Sequence, residues 1–386
     1  MLASTSRILT THAGSLPRSP ELNALFVRRS RNEPVDAAEL AAAIAASTRR
    51  VVESQLDAGI DVGNDGEHPR ESFFTYLQHR MSGFAGESSR PIMRDIVRYP
   101  TFLTQRLPDF ARDMVSLMRA PRATGPVHYT DPTAVERDAD VYRRVLADVG
   151  RSFSESFMTA PSPGIVACAM ENAHYPTFEE YVVALAEALR HEYAAIVAQG
   201  FILQIDCPDL AMERHTLFAD RPIEDFLTFV DLVIRAMNRA LARIPPDRVR
   251  LHVCWGNYEG PHDCDVPLDI LLPHLVHARV GGVVLSMANP RHEHEWRTIA
   301  KHPLPASWLL IAGVIDTTTN YVEHPEVVAD RLERAAQAIG DPRRVIAGTD
   351  CGFATAAGLG EVAEEVVWAK LKALREGADL ASRRLL

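Results

Sequence analysis

The chain has 386 residues, 47% hydrophobic and 24% charged, which is enough apolar material for a full core and excludes a disordered polymer. Its formal net charge of −10 argues against a nucleic-acid role, because such proteins neutralise phosphates with clustered Lys and Arg. No apolar run reaches the roughly 20 residues that cross a bilayer, and the stretch from Arg7 to Pro17 has no signal-peptide core, so the expectation is a cytoplasmic protein without membrane contact.

In chain order, short β-like runs lie near Ile8 to His12, Ile60 to Asp65, Gly164 to Cys168, Phe201 to Asp206, Val249 to Cys254, Gly282 to Ser286, Leu309 to Ile315 and Val345 to Thr349. Between them, amphipathic stretches predict helices over Ala37 to Ala58, Phe178 to Gln199, Pro222 to Ala242, Pro325 to Ile339 and Gly360 to Glu376. Acidic residues such as Glu179 and Glu180 near a helix start suit the positive end of its dipole. Eight strands alternating with helices predict an α/β fold, a (β/α)8 TIM barrel, with residues 1–386 as a single domain. Such a barrel needs roughly 250 residues. The surplus is expected as an insertion between the second and third strands, about 80–157, where Pro and Arg are frequent and Thr124 to Tyr129 reads as part of a hairpin.

Barrel enzymes carry their sites at the C-terminal ends of the strands, and that is where the chemistry-bearing residues gather. His252 and Cys254 end the fifth run two residues apart, so in an extended strand they face the same side. Cys351 follows the eighth run, bringing a second sulfur to the same end. One imidazole and two thiolates make a soft three-ligand set that suits Zn²⁺ and leaves a position for substrate. The alternative is that these cysteines, like Cys168, Cys207 and Cys264, are small buried hydrophobes. The odd, scattered set of five cysteines does not form a secreted disulfide framework. Glu67, Asp206 and Asp316 stand at other strand ends, where carboxylates can hold an ammonium group, move protons or merely cap helices. His12-Ala-Gly-Ser15 closes the first run, its glycine allowing a ligand close to backbone amides. The His-x-His of Asn289 to His294 reads as a solvated loop.

Four motifs, Thr10-Thr-His-Ala-Gly-Ser-Leu-Pro-Arg18, Gln204-Ile-Asp206, His252-Val-Cys-Trp-Gly-Asn257 and Gly348-Thr-Asp-Cys-Gly-Phe353, resemble the C-terminal catalytic barrel of cobalamin-independent methionine synthase. The likeness extends to short single-barrel relatives, including the epoxyalkane:coenzyme M transferases. It implies a zinc site of His252, Cys254 and Cys351, with Ser15, Glu67 and Asp206 holding the amino-acid part of a thiol substrate. Arg18 and Trp255 are further candidate substrate contacts, and Asp316, Glu67 and His12 are candidates for proton transfer. Two departures accompany it. Val284-Leu-Ser-Met-Ala288 lacks the family's glutamate ligand, and Asp316-Thr-Thr-Thr319 lacks the histidine that follows the seventh-strand aspartate. The implied activity is zinc-dependent alkyl, chiefly methyl, transfer to a small-molecule thiol, with a methylated folate as one candidate donor. The alternatives are epoxide opening by coenzyme M, whose sulfonate would want Arg18, Arg70 or Arg291, and a degenerate paralogue that binds a ligand without catalysis. A homo-oligomer is compatible with the sequence.

Overall fold

Runs of Val, Ile and Leu that are apolar on both faces are satisfied inside a parallel sheet covered by helices. The computed structural model, which describes residues 1–106, 115 and 117–386, places them there. Its strands are β1 (Val62–Gly63), β2 (Phe84–Ala85), β3 (Arg122–Ala123), β4 (Glu155–Pro161), β5 (Ile202–Asp206), β6 (Val249–Val253), β7 (Gly282–Ser286), β8 (Leu309–Ile315) and β9 (Val345–Thr349). Seven of them form one parallel sheet in the order β1-β4-β5-β6-β7-β8-β9. The sheet curls until both edges meet the same segment: Thr10 bridges Ala347 of β9 and Thr11 bridges Val62 of β1. The Thr11 N–H donates to Ala347 O at 2.8 Å, and the Val62 N–H to Thr10 O at 3.0 Å. Asp61 Oδ2 takes the Thr10 N–H at 2.9 Å. A side chain thus replaces a ladder bond, and the first β-like run forms bridges rather than a regular strand.

Alternation along each strand divides the residues between two environments. Val249, Leu251 and Val253 of β6 join the apolar core beneath the helices. Arg250 points the other way, where its guanidinium bonds Gln204 of β5 at 2.8 Å and the His12 carbonyl at 3.0 Å, and lies 3.7 Å from the centroid of Phe157. Those two hydrogen bonds and the ring contact turn a buried charge into a cross-link of the enclosed interior.

The long helices start where capping chemistry allows. Asp36 caps Ala37–Asp57 and Thr177 caps Phe178–Ala198, and Pro325–Ile339 ends at Gly340 in the left-handed conformation. No helix among the described residues is long and apolar enough to cross a membrane.

Two expectations are corrected. The run Gly164 to Cys168 lies in a helix, Pro163–Ala169, because Ser162 caps it and Pro163 sits in its first turn. The strand before it is β4. The proposed insertion is also shorter than 80–157: its end overlaps β4, and Ala134–Val149 is an ordinary helix packed on Ala37–Asp57. Charged and arginine-rich positions on its exposed face concealed its period. Thr124 to Tyr129 is part of a hairpin, as expected: it continues from β3, which pairs antiparallel with β2, and its last residue bridges Met81. Residues 107–114 and 116 of the expected insertion lie outside the described residues.

The last helix, Glu364–Leu385, packs against Pro325–Ile339 at Gly377, where a Cβ would lie 2.4 Å from Val328 Cβ. Glycine inside a helix ordinarily costs about 1 kcal/mol relative to alanine. Here close approach reverses the sign, so Gly377→Ala should lower the thermal midpoint, with overpacking of about 1–3 kcal/mol exceeding the propensity gain. A raised midpoint in a calorimetric scan would contradict this packing.

Candidate metal centre

His252 and Cys254 sit at the C-terminal end of β6, and Cys351 two residues beyond β9. One ligand atom from each lies within 4.8 Å of the other two, and all three side chains are buried. The two sulfurs are 3.9 Å apart, far beyond a disulfide. Two thiolates held at about 2.3 Å by one tetrahedral ion would stand about 3.8 Å apart, so the spacing suits a shared cation. Cys254 is drawn well below the ordinary thiol range, first by the hydrogen bond with Cys351, against burial, and with help from His252.

The imidazole is oriented for the same purpose. Asp206 pairs in register with His252 across the β5–β6 ladder, and its Oδ1 accepts from His252 Nδ1 at 2.9 Å. With Nδ1 protonated, the lone pair lies on Nε2, which is buried without a hydrogen-bond partner. An orphaned acceptor beside two sulfurs is what a metal site requires, and carboxylate–imidazole pairing is its usual support. Gln204 Nε2 bonds the same Asp206 oxygen at 2.7 Å and the Ala13 carbonyl at 2.6 Å, tying this support to the loop after the first run. No further His, Cys, Asp or Glu joins the three among the described residues.

These groups face a cavity of about 560 Å³ whose wall includes Ser15, Glu67, Asp206, Asn257 and Gly352. Asn257 donates to the Gly352 carbonyl at 2.8 Å and accepts from Thr317 Oγ1 at 2.8 Å, joining the loops after β6, β8 and β9. Glu67 stands in the left-handed region at φ 63°, with its Oε1 accepting from Thr159 Oγ1 at 3.1 Å and its Oε2 buried and unpartnered. Gly14, at φ 130°, passes so near that a Cβ there would lie 2.5 Å from Glu67 Oε1. Burial, reinforced by the Asp206 charge, pushes the Glu67 carboxyl up to about 8.

The structure does not bring every sequence candidate to this cavity. His12 is buried elsewhere, with Nε2 on Gln55 Oε1 at 2.9 Å and Nδ1 accepting from the Gly14 N–H at 3.2 Å. Burial holds it down at about 3, so it is neutral and has no proton to pass. Asp316 accepts from the Thr318 N–H and hydroxyl at 2.7 and 2.9 Å, folding its own turn. Arg18 donates to the carbonyls of Ala354 and Glu67 at 2.8 and 3.1 Å. Trp255 stacks on His292 at 3.7 Å and donates to the Val266 carbonyl at 2.7 Å. None of these four lines the cavity, nor do Arg70 and Arg291. The loop read as solvated is half so: His292 is buried against Trp255 and Asp265, while His294 is 56% exposed at its side chain.

Sequence reasoning missed Thr159, because the strand carrying it was misplaced. It also missed Asp350, which accepts four bonds from Met287, Ala288 and Asn289 and so anchors the loop after β7 beside Cys351. A carboxylate in a Thr-Asp-Cys run was a signal for the latter.

The Glu67 shift has a consequence for stability. Below its ordinary value of 4.5 both folded and unfolded chains hold the proton. Between 4.5 and about 8 only the folded state keeps it, so this carboxyl lowers stability as pH rises through that window. In metal-free protein, Glu67→Gln should therefore raise the thermal midpoint at pH 8, and the gap should vanish toward pH 4.5. An unchanged or lower midpoint at pH 8 would show that the carboxyl is ionised in the fold.

Residues 8–101 match the catalytic domain of the cobalamin-independent synthase family. A methionine synthase of Sulfolobus acidocaldarius is 25% identical over 348 residues, covering 89% of this chain and 85% of its own. One from Thermococcus kodakarensis is 23% identical, covering 85% of this chain and 80% of its own. Among solved structures, a B12-independent methionine synthase from Shewanella, in complex with selenomethionine, superposes with a TM-score of 0.73 at 22% identity over 98% of both chains. A putative vitamin-B12 independent methionine synthase from Listeria monocytogenes gives 0.65 at 19% identity, over 98% of this chain and 99% of its own. The chain is thus similar in sequence to a methionine synthase over 89% of its length, and in fold to a B12-independent methionine synthase over 98%.

Proposed function

We propose that this protein is a zinc-dependent transferase that moves an alkyl group, in the simplest case methyl, to the sulfur of a small amino thiol such as homocysteine. The observation that carries the reading is the convergence of Cys254, Cys351 and the unpartnered Nε2 of His252 on one point of the cavity. The same reading takes Thr10–Thr11 as the eighth stave closing a (β/α)8 barrel, and residues 1–386 as one catalytic unit.

Bound zinc would supply a Lewis acid that keeps a coordinated thiol deprotonated and nucleophilic. His252 offers Nε2 while Asp206 retains the proton on Nδ1, and the two cysteines offer their sulfurs. Three protein ligands leave a position for the substrate's sulfur. Asp206 and Glu67 line the same wall and present oxygens to the ammonium of an amino thiol, and Ser15 adds a hydroxyl. Of the three residues expected to move protons, Glu67 alone lines the cavity, and as a carboxylic acid near neutrality it can protonate a leaving atom. A methylated folate is one donor compatible with this chemistry. Coenzyme M is the less favoured thiol: Arg18, Arg70 and Arg291 do not reach the cavity, and of the described arginines that line it Arg90 is ion-paired with Glu213 and Arg119 is turned to solvent.

Purified protein should carry about one zinc per chain, and His252→Ala, Cys254→Ser or Cys351→Ser should each remove it together with thiol alkylation. Asp206→Asn should weaken zinc binding by about 10- to 100-fold while the fold survives. Elemental analysis checks the metal, and product analysis separates an S-methyl thioether from a hydroxyalkyl one. Full zinc content and turnover in Cys254→Ser would overturn the assignment.

A further inference from the structure

The cavity has two ends of different chemistry. Its floor carries the carboxylates, imidazole and sulfurs described above. Its outer wall is formed largely by Phe73, Ile92, Met93, Ile96, Met212 and Leu359. Four of these, Phe73, Ile92, Met93 and Ile96, belong to the excursion between β1 and β4. The short helix Arg94–Val97 that carries Ile96 is pinned over the mouth: Asp95 Oδ2 accepts from the Tyr258 hydroxyl at 2.7 Å and the His262 N–H at 2.8 Å, and the Tyr99 hydroxyl donates to Asp263 at 2.8 Å. The apolar wall is therefore a bonded part of the site.

Charge is managed in the same sense. Arg90 reaches the cavity, but it is ion-paired with the fully buried Glu213, whose charge cancels its own. Arg119, the other arginine of the wall, is exposed to solvent. Ile92 is 39% and Met118 36% exposed at this mouth, so apolar surface is held in water where a ligand would cover it. Covering it is worth about 25 cal/mol per Å² to an apolar occupant. A polyanion would instead surrender hydration to a wall whose described residues have little positive charge to return.

We propose, resting on the thiol-alkylation reading, that the donor is a neutral, apolar alkyl compound whose aliphatic or aromatic body lies against Ile92, Met93 and Ile96, in place of a polyanionic carrier such as a folate. In the transfer, a sulfur lone pair forms the new S–C bond. The bond from that carbon to its leaving atom breaks with its pair on the leaving atom. The proton lost by the thiol ends on that atom or in water, so no oxidant or reductant is consumed.

The test is equilibrium binding of the neutral fluorophore N-phenyl-1-naphthylamine to the full-length protein, with and without zinc. The probe should bind, millimolar 5-methyltetrahydrofolate should not displace it, and the Ile92→Lys/Met93→Lys double variant should weaken it at least about tenfold. Both positions are exposed or half-buried, so the variant should fold, and Met93→Leu should retain the probe. Absence of binding, displacement by the folate, or unchanged affinity in the lysine variant would each overturn the proposal. Cobalt(II)-substituted protein separates this from the underlying reading. A visible-band change on adding homocysteine with folate displacing the probe rejects only the neutral donor, whereas no change with homocysteine rejects thiol coordination itself.

Discussion

The pairing of Asp206 with His252 is the constraint on which the candidate site depends. Adjacent parallel strands place the two residues in register, so the carboxylate meets Nδ1 at 2.9 Å and Nε2 is left without a hydrogen-bond partner. A one-residue slip of either strand would turn one of them toward the helices and leave a buried ionisable group without a partner. The polar interior behind them resists that slip. Gln204 ties Asp206 to the Ala13 carbonyl, and Arg250 ties β6 to Gln204 and to the backbone of His12. The geometry at the mouth is thus inherited from bonds made one layer deeper.

Those same bonds account for residues that looked chemical and serve as structure. His12 and Arg18 sit within the stretch that matches the synthase family's catalytic domain, yet their polar atoms are used to hold the loops that carry Gly14, Glu67 and Ala354. Glu67 is the converse. Its backbone is held in the left-handed region and its Oε2 has no partner, a combination that a structural carboxylate would avoid. Conformational strain and an unsatisfied oxygen meet at a carboxyl that retains a proton near neutral pH.

The excursion between β1 and β4 supplies the outer wall of the cavity without contributing to the sheet. Its short helix is pinned through Asp95 to the loop after β6, the same loop that carries Trp255 and Asn257. The part of the site that would bind metal and the part that would meet the donor are therefore built from different segments. Ligand geometry can stay constant while the donor end varies.

Much of this was legible in the chain. Strands rich in Val, Ile and Leu, helices capped by Asp36 and Thr177, and the two-residue spacing of His252 and Cys254 all follow from local chemistry, because period and capping act within a few residues. β4 was not legible. Glu155 to Pro161 is a poor strand by composition, whereas Gly164 to Cys168 is a good one, and only packing lets the first into the sheet while Ser162 and Pro163 start a helix in the second. Whether Asp316, His12, Arg18 and Trp255 would reach the cavity was equally beyond the sequence. His12 stands beside Ala13 and Trp255 beside Cys254, which do reach it, and the direction of each is decided by partners such as Gln55 and His292. By itself the sequence determined which residue types stand at the strand ends. Tertiary structure decided which of their atoms were left without a partner, because that depends on neighbours brought together only when the sheet curls.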